Sequence, residues 1–73
     1  MAKNSEEGVY KIVEVVGTSS KSWEDAANTA VATAAKTLRD LRIAEVTKLD
    51  LKIEDGKVIA YRARVSLSFK YQA

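Results

Sequence analysis

The sequence predicts an α+β domain of order β-α-β-β, a three-stranded antiparallel sheet wrapped around one helix, and three observations carry that reading. From Ser22 to about Leu41, apolar residues recur at steps of three and four, the spacing of one helical stripe. β-branched segments flank this stretch on both sides, and the later ones alternate with a period of two, as half-buried strands do. Asp55-Gly56 lies between the last two segments, and such a pair favours a tight type I′ hairpin.

Residues Met1 to Gly8 are polar and end in glycine; they are expected to form a disordered tail before a domain over 9–73. Val9 to Val16 reads as a strand with apolar residues on both faces, Tyr10, Ile12 and Val16 on one and Val9, Val13 and Val15 on the other. One helix covers one face, so the second is expected to meet another subunit. Gly17 to Ser22 is the expected strand-to-helix turn. Ser22 and Asp25 have the spacing of a capping pair, and Glu24 and Asp25 put negative charge at the positive end of the helix dipole. Capping is one use of this Gly-Thr-Ser-Ser loop; holding an anion on free N–H groups is another.

The helical stripe is Trp23, Ala27, Ala30, Val31, Ala34, Leu38 and Leu41, which predicts a helix roughly 30 Å long. Trp23, the single tryptophan, either covers the end of the core or stacks on a ligand. From Ile43 the period becomes two: Leu49, Leu51 and Ile53 face one way, Lys48, Asp50, Lys52 and Glu54 the other. The last segment alternates from Ile59 to Tyr71, near 45 Å at ~3.3 Å per residue. One helix cannot cover a strand of that length. The first strand can join either side of the hairpin.

At 73 residues the chain is near the lower size limit for folding alone. Burial supplies on the order of 105 kcal/mol and chain ordering costs about 110 kcal/mol, so a monomer has no margin. Cysteine and histidine are absent, which excludes disulfides and Cys/His zinc sites. Self-association is the remaining remedy. A formal charge of +2 with alternating signs suits a solvated surface rather than a nucleic-acid stripe. No apolar run reaches membrane-spanning length, and the first residues carry no secretory pattern; the expected location is cytoplasmic.

Catalysis by His or Cys cannot be built, and no spacing points to an enzyme. Glu14, in mid-strand among apolar residues, reads as a carboxylate at a subunit boundary that meets Arg or Lys, or as one of several symmetry-related carboxylates around a cation. Arg62 and Arg64 project from one face of the last strand. Such a pair is either solvated and salt-bridged or clamps a phosphate or carboxylate.

From Val9 to Tyr71 the chain resembles the dodecins. The resemblance rests on Val9-Tyr-Lys-Ile-Val-Glu-Val-Val-Gly-Thr-Ser19, on Lys36-Thr-Leu-Arg39 in an alanine-rich helix, on Ala44-Glu-Val46, and on Val65-Ser-Leu-Ser-Phe69. It implies a hollow homododecameric, non-catalytic shell that stores or sequesters FMN or riboflavin between subunits. It also implies cofactor-binding positions at Ile43, Glu45, Asp50, Arg62 and Arg64. Three of these depart from the family pattern: Ile43 stands where a tryptophan stacks on flavin, Arg62 where a glutamine bonds its polar edge, and Asp50 where a basic residue helps hold phosphate. The resemblance therefore implies an altered or weakened flavin site. The alternative is a flavin-independent assembly that binds cations such as calcium or serves a structural role.

Overall fold

The computed structural model describes residues 8–71. It contains strand β1 (Tyr10–Ser19), helix α1 (Trp23–Ala34), strand β2 (Leu41–Glu54) and strand β3 (Lys57–Lys70). All strand pairs are antiparallel, in the order β1-β3-β2. The first strand thus joins the sheet along β3, leaving β1 and β2 as edges. Apart from Gly8, the expected N-terminal tail lies outside the described residues.

The strand β1 runs three residues further than its apolar pattern suggests. Gly17, Thr18 and Ser19, expected as a turn, pair with Ala63, Arg62 and Tyr61. Position 17 requires glycine because the helix presses on it: a Cβ there would collide with the Ala26 carbonyl oxygen and stand 2.9 Å from the Ala30 Cβ. Ala26 and Ala30 are the buried helical residues, and with Ala63, Val65 and Leu67 they form the core. Val15, Ala27, Val31, Ala34, Leu38 and Leu41 pack around it.

The helix is shorter than its stripe predicts: twelve residues, ending at Ala34 instead of near Leu41, or about 18 Å at 1.5 Å per residue. The chain keeps winding past Ala34, but more tightly. The Lys36 and Thr37 N–H groups bond three residues back, to Thr33 and Ala34, as 3₁₀ turns do at helix ends. The Leu38 N–H then closes on the Ala34 carbonyl at 2.9 Å. That continued winding keeps Leu38 and Leu41 on the core side although neither is helical. Asp40 makes the turn into β2 at φ 58°, a left-handed conformation that aspartate tolerates better than most residues.

At the hairpin tip Asp55 and Gly56 have φ 52° and 75°, the type I′ signature. The register shifts between Lys52 and Ile53, between Val46 and Lys48, and between Leu41 and Ile43; such bulges bend and twist a strand. The molecule is 56 × 20 × 17 Å, and its long axis far exceeds the helix. α1 packs on β1 and β3 and meets β2 only marginally. Beyond Tyr61 the hairpin has no β1 partner, so its end projects as a two-stranded ribbon with Ile53 (60% exposed), Val58 and Ile59 in solvent.

Candidate functional site

Cross-strand partners share a face, so the register sorts the side chains. Val15, Val65 and Val46 form one row toward the helix. The intervening residues of β3, Arg62, Arg64, Ser66 and Ser68, point the other way, onto a face with no helix. Four rows cross it: Ile12-Ser68-Ile43, Glu14-Ser66-Glu45, Val16-Arg64-Lys48 and Thr18-Arg62-Asp50. Ile43, Glu45, Asp50, Arg62 and Arg64 therefore all lie on this one face. They do not form one cluster. From the Ile43 row to the Asp50 row is six residues of β3, about 20 Å. A compact ligand that uses both ends takes them from different chains.

Asp50 and Arg62 stand opposite each other and make a two-pronged contact, Nε to Oδ1 at 2.7 Å and the second guanidinium NH₂ to Oδ2 at 3.0 Å. The hydrogen bonds from Arg62 hold the Asp50 carboxyl below its ordinary value; desolvation opposes them, and the charges of Arg62 and Arg64 add to the lowering. Arg62 is raised in return, chiefly by the same hydrogen bonds. This is the one ion pair among the described residues. Among the described residues, Arg64, opposite Lys48, has no carboxylate partner. The Ser66 hydroxyl donates to Glu14 at 3.3 Å.

Trp23 reaches Asp50 from the other side of the sheet. Its indole N–H donates to the Asp50 carbonyl at 3.1 Å, and its ring meets Tyr61 edge-on at 5.3 Å and 79°. It is 38% exposed and lies outside the buried cluster. It also borders an open groove of about 470 Å³ between α1 and β2, with Glu24, Ala27, Asn28, Val46 and Leu49. The loop before it is a cap: Ser22 Oγ accepts from the Asp25 N–H at 3.0 Å, and the Ser19 hydroxyl donates to Asp25 Oδ2 at 2.6 Å while accepting from the Lys21 N–H at 2.9 Å. These contacts occupy the N–H groups of Lys21 and Asp25.

The family model described as Dodecin matches residues 9–72. The chain belongs to the dodecin family. Two curated relatives are similar across most of their length. Calcium dodecin of Mycobacterium tuberculosis is 40% identical over 62 residues, 85% of this chain and 87% of that protein. Dodecin of Thermus thermophilus is 39% identical over 64 residues, 88% of this chain and 93% of that one. Among solved structures, the dodecin of Streptomyces coelicolor superposes with a TM-score of 0.85 at 37% identity, over 92% of this chain and 96% of its own. The calcium-chelating calcium dodecin of M. tuberculosis, described with a novel calcium-binding site, gives 0.79 at 39% identity, over 89% and 93%. The dodecin resemblance of the sequence and the expected α+β fold are thereby borne out.

The residues fit a dodecin flavin poorly. Ile43 has contact area but no aromatic face for an isoalloxazine ring. Arg62 carries donors only, and Asp50 already engages two of its nitrogens. Sequence reasoning treats Asp50 and Arg62 as two separate departures; the register makes them one unit. It also misses Lys48, which the second bulge sets opposite Arg64.

Proposed function

We propose that this dodecin-family chain is a non-catalytic subunit of a homododecameric shell that sequesters or stores a small ligand between copies, with a weakened flavin site. The observation that carries this reading is the apolar surface a single chain leaves in water. Ile12, Val16 and Ile43 lie on the helix-free face, and Ile53, Val58 and Ile59 on the projecting ribbon. Sister copies are the natural cover for two unpaired sheet edges and a bare apolar ribbon. Ile43, Glu45, Asp50, Arg62 and Arg64 would then line contacts between copies, with Ile43 supplying apolar area and Arg62 locked by Asp50.

A second reading, cation binding, is favoured by the name and title of the M. tuberculosis relative. Glu14 and Glu45 share a row here. No group of three or more candidate ligands gathers in one chain among the described residues, so a calcium site on this reading draws carboxylates from several copies.

Fluorescence titration of riboflavin and FMN separates the two. The parent is expected to quench either flavin weakly. A triple variant, Ile43→Trp with Arg62→Gln and Asp50→Asn, should quench strongly, because it restores a stacking face and removes the ion pair together. An assembled triple variant with no gain rejects the assignment of Ile43 and Arg62 to a flavin site. A calcium-dependent, chelator-reversible rise in Tm supports the second reading.

A further inference from the structure

Two bare features of the chain complement each other. On the helix side of the sheet, α1 packs on β1 and β3 and scarcely touches β2, so Val46 (46% exposed), Leu49 (51%) and Leu51 stay uncovered there. Beside β1 the helix overhangs an open groove of about 470 Å³, lined by Val15, Gly17, Thr29, Ala30 and Thr33 among others. No β3 residue lines it, so it opens at the outer edge of β1, where the sheet ends. The helix thus has cover to spare at one edge of the sheet, and a strand at the other edge lacks cover.

Backbone polarity decides how two such edges can meet. β3 gives the Tyr71 N–H to Val9 and the Lys70 N–H to Asp40. Along an antiparallel ladder that direction alternates, so odd residues of β3 bond β1 and even ones bond β2. The groups pointing outward from β1 therefore belong to Ile12, Glu14, Val16 and Thr18, whose side chains lie on the helix-free face. Those pointing outward from β2 belong to Ala44, Val46, Leu49 and Leu51, whose side chains lie on the helix side. Antiparallel neighbours share both face and bonding state. Joined that way, the apolar β2 residues of a second copy turn onto the helix-free face, away from the groove. In a parallel pair the slanted bonds run from one residue to the two that flank its neighbour, so the bonding residues of the two strands lie on opposite faces. Of the two senses, the parallel one keeps the helix side continuous between copies. Rotation about an axis along the strands produces that sense, and such a head-to-tail contact can close into a ring. Charge agrees: on the helix-free face Glu14 lies on one edge strand and Lys48 on the other.

We propose that β2 of a second copy adds to the open edge of β1, parallel to it and with the same face toward the helix, so that its Val46 and Leu49 enter the groove beside α1 of the first. Each helix then covers three strands: β3, β1 and the neighbour's β2. This deepens the shell reading and rests on it, and it does not depend on any ligand.

The test is disulfide cross-linking of the full chain, which has no cysteine of its own. Within one chain β1 and β2 are two strand spacings apart, about 9.6 Å, beyond disulfide reach, so every cross-link joins copies. Glu14→Cys with Lys48→Cys, both on the helix-free face, should oxidise to a covalent ladder that extends past the dimer on a denaturing gel. Glu14→Cys with Leu49→Cys, and Glu14→Cys alone, should stay at chain mass. The proposal is overturned if the Leu49 pair cross-links in place of the Lys48 pair, which is the antiparallel joining. It is overturned equally if the single variant gives a dimer, which is β1 meeting β1. Amide exchange on the unsubstituted protein gives a second reading that no assembly defect of a variant can spoil. The Ile12, Glu14 and Val16 N–H groups should exchange at least about a hundredfold slower than open amides, and open-amide rates there overturn the edge pairing. Light scattering on the same samples keeps the two readings apart: a full-mass assembly with neither cross-link nor protection sinks the parallel edge and leaves the shell standing, whereas a parent at single-chain mass removes both.

Discussion

At Gly17 a single hydrogen atom decides how closely strand and helix approach. With the Ala26 carbonyl oxygen and the Ala30 Cβ against it, a methyl has nowhere to go, and both obstacles belong to a helix fixed by the core. Gly17→Ala is therefore expected to destabilise the fold by about 1–3 kcal/mol, the usual range for overpacking, read from the denaturant midpoint at fixed protein concentration. The alanines facing it explain an omission in the sequence reading: Ala26 is fully buried but lies outside the stripe drawn through Trp23, Ala27 and Ala30. Small residues bury backbone more than side chain, and an apolar stripe does not register that.

The Asp50–Arg62 contact gives a pH prediction with a definite sign. Asp50 is held below the ordinary 3.8 in the folded chain. Its contribution to stability is therefore complete above the unfolded value and is lost as pH falls through the lower folded value. Carboxyl titration by NMR should place Asp50 below 3.8, and Asp50→Asn should remove the part of the acid-induced loss of stability that lies below that pH. The pairing was within reach of the sequence. Counted back from Asp55-Gly56, an even register sets Asp50 opposite Tyr61 and mixes the charged and apolar faces. Only an extra residue restores the alternation, and the bulge at Ile59 supplies it.

Among the elements, the helix owes most to its start. Ser22 satisfies the Asp25 N–H of the first turn and the Ser19 hydroxyl orients the Asp25 carboxylate, and the last turn has no basic residue to match. Ser22→Ala should cost about 1 kcal/mol, visible as a lower denaturant midpoint with the helical circular dichroism of the folded state unchanged. The sequence made this end plain and the other obscure. A capping serine is a local signal, whereas the stop at Ala34 arises from 3₁₀ bonds and a left-handed Asp40, with neither glycine nor proline to mark it. The strands were clearer. The last segment alternates over most of its length, and the Asp55-Gly56 turn marks the hairpin, although not the bulges that set its register.

For the molecule as a whole, the difficulty is area. The ribbon beyond Tyr61 buries little on its own chain, and a two-stranded hairpin of this kind is marginal in water. Ile53 tests what covers it. In an isolated chain Ile53→Asp would be a surface change within about 0.5 kcal/mol; in an assembly it places a charge at a contact. Light scattering should show the parent at about twelve times the 8.0 kDa chain mass, on the multiplicity expected of the family, and Ile53→Asp at a much lower mass. A parent that runs as a single chain contradicts the shell. Composition had already indicated a deficit of core. It could not show which surfaces were short of cover, because that depends on β1 stopping opposite Tyr61 and on α1 sitting away from β2.

The strand order also governs how the protein comes into being. Among the described residues, β3 is the strand partner of both outer strands, and β3 is the last of the three to leave the ribosome. Until residues from Tyr61 onward emerge, Tyr10 to Ser19 lack the strand they pair with, and Tyr10 waits for Lys70, sixty positions downstream. Closing so wide a loop makes for slow, all-or-none folding. A chain lacking β3 would leave the edges of β1 and β2 without the strand that pairs them in the folded protein, the kind of exposed edge that invites aggregation.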